Sequence, residues 1–580
     1  MDIKQIIVRD YLESLKESEE LDYIFPLFLE SQGFIILSKP TESKGLSQYG
    51  KDVVAVGNDF EDGIKKRFYF ELKGGADRNI TTDTYKKDDG VRESIYEAKD
   101  RQFEFSNKNH EKLPLKIVLV HNGELKASVK DTFEGFINRE FPKNGNIEFD
   151  RWGISDLTIL FSEKFFGEFL LANKEVTKLF NKTLVNLDVE DKISNSFIQL
   201  LDIVFANVKR KEYKKSLPRK WKMLFESLRL ISFIIYTESK GYNNLDISKR
   251  YLTHLVIRLW FWVLQNKLEQ DKYIIQYVDK IICFYLLVMT DYFQRTLPIA
   301  CMEGGLFSEV GGRYEQVGYT FRTFDYLQYL CWFIKLSPRE DLLKKMVVNY
   351  LIPVINANSV SGRPLLDIHS TPIIDVLKIL IDISDRESAK NYLSEVLFYI
   401  KLGKDKYDRL PDANNNKKNV IKFIVTQEKP IYYSDSTSPL LAVLMEFIVI
   451  LDMEKEYYEL RDFIIKHKID LGLFIPHHSI NSTSKHLIED KENDLEEQLF
   501  SNPFFNDGYQ RSTSLHKELT KELSFEEFKE TIITRKDEFT YEYRTDKAGF
   551  SFLKDLAHIY YKTPYFPNKW ACLFNVTDFS

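Results

Sequence analysis

Apolar and polar positions follow two different periods along the chain, and the balance between them changes once. Up to about residue 165 helical and strand patterns are mixed. "LDYIFPLFLESQG" from Leu21 has apolar positions at helical spacing and a stop at Gly33, and "FIILS" follows as a strand. "KDVVAV" from Lys51 and "RFYFELK" from Arg67 are two short strands joined by the polar turn "GNDFEDG". A helix "VRESIYEAKDRQFEF" from Val91 and a buried strand "LKIVLVHN" from Leu115 come next. An amphipathic helix "LKASVKDTFEGFINREF" from Leu125, a strand "NIEFDRW" from Asn146 and a closing helix "ISDLTILFSEKFF" from Ile154 complete the set. The predicted order is helix, three strands, helix, strand, helix, strand, helix. That is an α/β domain with a central mixed sheet flanked by helices.

Beyond about residue 166 the strand signal fades and long helical patterns take over. Examples are "SLRLISFIIYTES" from Ser227, "LTHLVIRLWFWVLQNKLEQ" from Leu252 and "PLLAVLMEFIVILDMEKEYYELRDFIIKH" from Pro439. No fixed period of a helical repeat is present. Two polar stretches, "GKDKYDRLPDANNNKKN" from Gly403 and "HHSINSTSKHLIEDKENDLEEQ" from His477, are expected to be loops. The organisation predicted is an α/β domain over 1–165, a large helical domain over 166–475, and a mostly helical C-terminal part over 476–580.

The hairpin in the first domain carries unusual chemistry. Side chains alternate faces along a strand, so Phe68, Phe70 and Leu72 fall on one side and Tyr69, Glu71 and Lys73 on the other. One side is expected to be core and the other to present an acid and an amine two residues apart. Antiparallel pairing brings the start of the first strand, with Asp52, beside the end of the second, with Glu71. Two converging carboxylates repel unless a cation lies between them, and hard oxygen ligands suit Mg²⁺ or Mn²⁺. A bound metal acidifies its water, and an adjacent ammonium can orient that water or offset charge on a pentavalent phosphate. The chemistry expected is phosphodiester hydrolysis. The acid-x-base triplet alone is cheap: 87 acidic and 81 basic residues in 580 supply about a dozen by chance. Its bland alternative is an exposed ion-pair face, so the placement of the triplet carries the reading.

That placement resembles the PD-(D/E)XK nuclease superfamily, the restriction-endonuclease-like fold. The resemblance implies a site built from an acid opening the second strand and an acid-x-Lys closing the third, here Asp52, Glu71 and Lys73. It implies that an acid on the first helix joins them as a metal ligand, which points to Glu30 in "PLFLESQGF", and that a polar residue on the following helix contributes, which points to Gln102 with Lys99 behind it. Mg²⁺ or Mn²⁺ would be held by Asp52, Glu71 and Glu30. Lys51 stands where the family's name places a proline. The resemblance covers only the first 165 or so residues.

Composition narrows the rest. The formal net charge of −6 provides no long-range basic field, so nucleic acid would need a local patch. "KRKEYKKSLPRKWK" from Lys209 is the candidate, with Lys214, Lys215, Arg219 and Lys220 beside Tyr213 and Trp221. Its alternative is a solvated segment between helices. Cys283, Cys301, Cys331 and Cys572 form no Cys-x-x-Cys pair, which argues against a disulfide framework or a zinc site and fits a reducing cytosol. "YIIQYVDKIICFYLLVMTDYF" from Tyr273 is interrupted by Asp279 and Lys280, so a buried helix is expected there and no membrane. "GGLFSEVGGRYEQVGYTF" from Gly304 lacks the Gly-Lys-Ser/Thr ending of a phosphate loop and is expected to be a loop or short hairpin.

The expectation is a cytoplasmic Mg²⁺- or Mn²⁺-dependent endonuclease acting on DNA ahead of RNA. Its layout resembles effectors of prokaryotic restriction or anti-phage systems, in which the appended region senses a trigger, forms a homo-oligomer or binds a separate ATPase or sensor subunit. Two alternatives stand beside it. One is a non-catalytic scaffold binding nucleic acid or protein. The other is a repair or recombination nuclease working with a separate helicase, since the chain has no ATPase motif of its own.

Overall fold

The computed structural model describes residues 2–39, 51–88, 90–101, 103, 108–143, 145–165, 171, 173–189, 192–206, 208, 219–308, 314–337, 339–476, 513–517, 523–535 and 544–575. The chain forms two compact units. One comprises Met1–Leu255 with Lys272–Tyr285, and the other Val256–Asp271 with Leu286–Ser580.

The first unit holds a five-stranded sheet. In chain order its elements are α1 (Ile3–Ser14), α2 (Asp22–Ser31), β1 (Ile35–Ser38), β2 (Val53–Asn58), β3 (Lys65–Lys73), α3 (Thr82–Lys86), α4 (Val91–Asp100), α5 (Lys108–Glu111), β4 (Leu115–His121), α6 (Ala127–Glu140), β5 (Ile147–Trp152) and α7 (Ile154–Lys164). The strands lie side by side in the order β1-β2-β3-β4-β5. β1, β2 and β3 pair antiparallel, whereas β3, β4 and β5 pair parallel. The mixed sheet and the helices α2, α4, α6 and α7 follow the order read from the sequence, and α1, α3 and α5 are additional to it. Asn173-capped Lys174–Val185, Asn195–Ala206 and the long helix Arg219–Gly241 extend this unit past residue 165. α1 is fixed to the last of these by Arg229, whose guanidinium bonds Asp10 at 2.8 Å and Glu226 at 2.7 Å.

One expectation for β3 needs correction. Phe68, Phe70 and Leu72 do face a core, where Phe70 meets Phe25 of α2 at 5.2 Å and Trp152 at 5.6 Å between ring centroids. The opposite side is not open. Tyr69 packs with Val54, Ile117 and Leu119 beneath Ile95 of α4 and Phe133 of α6. The cause is topology: parallel β3, β4 and β5 need crossover helices, and α4 and α6 cover the second face. β3 stays buried from Phe68 to Leu72, and its carboxyl end becomes part-exposed at Lys73.

The second unit is mainly helical. Its small sheet was not predicted from the sequence: Thr437–Ser438 pairs parallel to Asp470–Pro476, which pairs antiparallel to Thr513–Lys517. The apolar run from Pro439 is two helices, Pro439–Ile450 and Glu454–His467, because Asp452 takes φ +56° between them. The stretch from Gly403 is helical as far as Tyr407 and again from Lys417, with the loop confined to 408–416, while the one from His477 to Gln498 lies outside the described residues. The helix Lys272–Ala300 is long and apolar enough, by length and composition, to cross a membrane. In its most apolar window 44% of the residues are buried inside the protein.

Candidate active site

The register of β2 and β3 puts Val53 opposite Phe70, so Asp52 and Glu71 stand next to each other at the open end of the hairpin. The Leu72 N–H donates to Asp52 Oδ2 at 2.7 Å, and the Lys73 ammonium lies 2.7 Å from Glu71 Oε1. The second oxygen of each carboxylate is the one that could face a cation. Lys73 pairs in register with His121 at the end of β4. The cluster thus sits at the carboxyl ends of parallel strands, where open α/β sheets bind their ligands.

A third acid joins it from an unforeseen place. Glu17 begins a π-helical turn, Glu17–Leu21, between α1 and α2, and the Gly74 N–H donates to its Oε2 at 3.2 Å. A Cβ on Gly74 would lie 2.7 Å from the Glu17 backbone nitrogen, so the approach requires glycine. Asn122, after β4, braces the same segment by donating to the carbonyls of Leu12 at 2.7 Å and Leu15 at 2.8 Å. Glu30, expected from the family resemblance, is elsewhere. Its carboxylate pairs with Lys39 at 2.6 Å, with Glu30 exposed and Lys39 half-buried. The helical acid beside Asp52, Glu71 and Lys73 is Glu17.

The electrostatics show carboxylates crowded together. Burial and then the Glu71 carboxylate raise Asp52 well above the ordinary range, against the pull of the Leu72 N–H and Lys73. Burial also raises Glu17, opposed by Lys73 and the Gly74 N–H. Burial lowers Lys73, but Glu71, Glu17 and Asp52 outweigh it and keep the ammonium charged. Lys51, at the family's proline position, lies 5.3 Å from the centre of the Tyr69 ring. Its burial lowers it, while Glu97 and Glu71 act in the other direction.

His121 is a support for this end of the sheet. Arg151 Nη1 lies 2.9 Å from its Nε2, and guanidinium only donates, so Nε2 accepts and Nδ1–H donates to the Arg78 carbonyl at 2.9 Å. Burial pushes the ring down to about 4, which keeps it neutral.

Hard oxygen donors in a partly buried, like-charged group fit Mg²⁺ or Mn²⁺. Among the described residues, Glu17, Asp52 and Glu71 do not bring three oxygens within 4.8 Å of one another. A cation here would take Asp52 and Glu71 and keep several waters, as Mg²⁺ commonly does. The acids that do meet that limit, Asp59, Asp62 and Glu148, lie at the other end of the hairpin around an ammonium. Lys66 Nζ is 2.8, 2.6 and 2.6 Å from them, and Lys116 completes the network at 3.0 Å from Asp59. That position already has its cation.

Gln102 lies outside the described residues, although the neighbouring Phe103 N–H donates to Tyr69 Oη at 3.0 Å. Lys99 is bound to Glu140 at 3.0 Å. Lys214 and Lys215 also lie outside the described residues, as does the side chain of Arg219. Lys220 is exposed in the first turn of its helix.

A carboxyl that holds its proton more tightly folded than unfolded favours the folded state while protonated. From the ordinary value of 3.8 up to the raised one, stability falls as pH rises. Asp52→Asn keeps an oxygen for the Leu72 N–H and removes the charge. Its melting temperature is expected to exceed wild type at pH 8 in EDTA and to lose that advantage near pH 4. Mg²⁺ should raise the wild-type melting point and leave that of Asp52→Asn nearly unmoved. Equal melting of the two proteins at pH 8 would mean that the cluster does not oppose ionisation.

Comparison with family models, with curated proteins and with solved structures finds no match to this chain.

Proposed function

We propose that the first unit is a metal-dependent nuclease that hydrolyses phosphodiester bonds, in DNA ahead of RNA. The observation that carries this reading is the meeting of Asp52, Glu71 and Lys73 at the end of the β2–β3 hairpin, with Glu71 buried, Asp52 half-buried and the ionisation of Asp52 opposed by Glu71. Asp52 and Glu71 would hold Mg²⁺ or Mn²⁺. Bound there, the cation would supply Lewis acidity toward a phosphate oxygen and make a water more acidic. Lys73, held beside Glu71, can face the charge that develops on phosphorus. Glu17 adds a half-buried carboxylate that can accept from a water. The preference for DNA, and a helical region that senses a trigger or assembles the enzyme as in restriction and anti-phage effectors, come from the family resemblance.

The test uses the purified full chain on double-stranded DNA, single-stranded DNA and RNA. Cleavage is expected with Mg²⁺ or Mn²⁺, to stop in EDTA, and to be poor with Ca²⁺, whose larger and looser coordination misplaces the water. Undiminished cleavage in EDTA would overturn the assignment of a metal site.

A further inference from the structure

The second unit contains an open pocket of about 530 Å³, within the range of small-ligand sites. Its walls come from the helices Glu315–Lys335, Arg386–Tyr407 and Lys417–Thr426 and from the loops near Arg363 and Arg409. Two arginines, Arg363 and Arg409, are the charged side chains that line it, with no carboxylate among the lining residues.

Both guanidinium groups are held on aromatic rings. Arg363 lies 4.3 Å from the centre of Tyr399 and donates to its hydroxyl at 3.0 Å, and Arg409 lies 4.9 Å from the centre of Tyr407. Among the described residues Arg409 makes no ion pair and no side-chain hydrogen bond. Glu395 is an acid that senses Arg363, without a salt bridge to it. Burial lowers Arg409, and only tyrosines act against that.

The walls are preorganised. Asp412, fully buried, accepts from the backbone N–H of Ser434 at 2.9 Å and of Asn416 at 2.9 Å. Its own N–H donates to the Leu365 carbonyl at 3.1 Å. The Tyr433 hydroxyl donates to the Leu410 carbonyl. These bonds tie the segments that carry Arg363, Arg409 and Tyr433 together, so the arginines face a space already shaped. Fork-shaped donors suit phosphate, and rings lining the same space suit a planar base.

We propose that this pocket binds a nucleotide, with its phosphate on Arg363 and Arg409 and its base against the tyrosines. The inference is independent of the nuclease reading.

The experiment is calorimetric titration of the full chain with the four ribonucleoside monophosphates, the four parent nucleosides and inorganic phosphate. All titrations are done in EDTA, so that no cation can dock phosphate at the Asp52 cluster. At least one monophosphate is expected to bind, with its nucleoside and inorganic phosphate each weaker by about tenfold or more. Arg409→Gln and Arg363→Gln should each weaken binding by about tenfold, and the double variant should abolish it. Arg363 is exposed, so its variant keeps the test decisive if Arg409→Gln misfolds. Absence of binding by every monophosphate at millimolar concentration overturns the proposal. So does binding that persists in the double variant, or nucleosides that bind as tightly as their monophosphates.

Discussion

The Glu71→Ala protein is expected to cleave nucleic acid at no more than about a hundredth to a thousandth of the wild-type rate, and Asp52→Ala and Lys73→Ala likewise. Each removes a group for which the cluster has no substitute. In the proposed site Glu71 would hold the cation, and it is the partner of Lys73 at 2.7 Å, while Asp52 is held by the Leu72 N–H. Loss of folding is not the expected cause, because either carboxylate variant relieves repulsion among crowded acids. Melting curves taken alongside the rates separate the two explanations. The pair Glu17→Gln and Glu30→Gln tests the placement of the third acid. Glu17→Gln should slow cleavage clearly, and Glu30→Gln, whose carboxylate lies on Lys39 in solvent, should stay near wild type. Wild-type cleavage by Glu71→Ala would remove the site. A strong effect of Glu30→Gln with none from Glu17→Gln would reverse the roles given to these two acids.

The sheet of the first unit and the helices α2, α4, α6 and α7 were legible because each has a clean period, whereas α1 and the short helices α3 and α5 were not read from the sequence. "FIILS", "LKIVLVHN" and "NIEFDRW" became β1, β4 and β5, and the acid-led hairpin paired as its turn required. Glu17 was not legible. It lies in "KESEE", a charged run without periodicity, and its position depends on a π-helical turn and on close approach to Gly74. His121 and Asn122 act through the backbone carbonyls of Arg78 and Leu12, 43 and 110 residues away along the chain, and no sequence spacing encodes that. The burial of both faces of β3 followed from crossover topology, since Tyr69 within "RFYFELK" alternates as an exposed residue would. In the second unit the long apolar runs located helices but not their breaks, as Asp452 shows. The arginine pocket draws on segments from residue 307 to residue 433, so no single stretch of sequence displays it.

The stability of that second unit should depend on a buried ion network. Lys335 Nζ lies 2.7 Å from Asp375 Oδ1 and 2.9 Å from Asp555 Oδ2. Lys569 Nζ meets Asp555 Oδ1 at 2.5 Å, and the Tyr565 hydroxyl donates to Asp375 Oδ2 at 2.8 Å. These bonds join the helices Glu315–Lys335 and Ser370–Asp382 to Ser551–Tyr561 and the segment after it. Burial raises Asp555, but Lys335 and Lys569 hold it far below the ordinary carboxylate range. Its contribution is therefore present above the ordinary 3.8 and is lost as pH falls toward the depressed value. Lys335→Met removes one cation from between two acids. Asp555 keeps Lys569, but among the described residues Asp375, fully buried, keeps only the Tyr565 hydroxyl as a side-chain partner. Leaving a buried charge without its partner costs about 3–5 kcal/mol, so the variant should unfold at clearly lower denaturant. Adding Asp375→Asn should recover part of the loss, because the stranded charge rather than the missing methylene contacts dominates the cost. Asp555→Asn in the same background should recover less, since Asp555 still has Lys569. Denaturant melts of the single and double variants measure both effects. If Lys335→Met unfolds within about 1 kcal/mol of wild type, the pair is no stronger than a surface salt bridge. If Asp555→Asn rescues it better than Asp375→Asn, the charge left unpaired is not the one the geometry identifies.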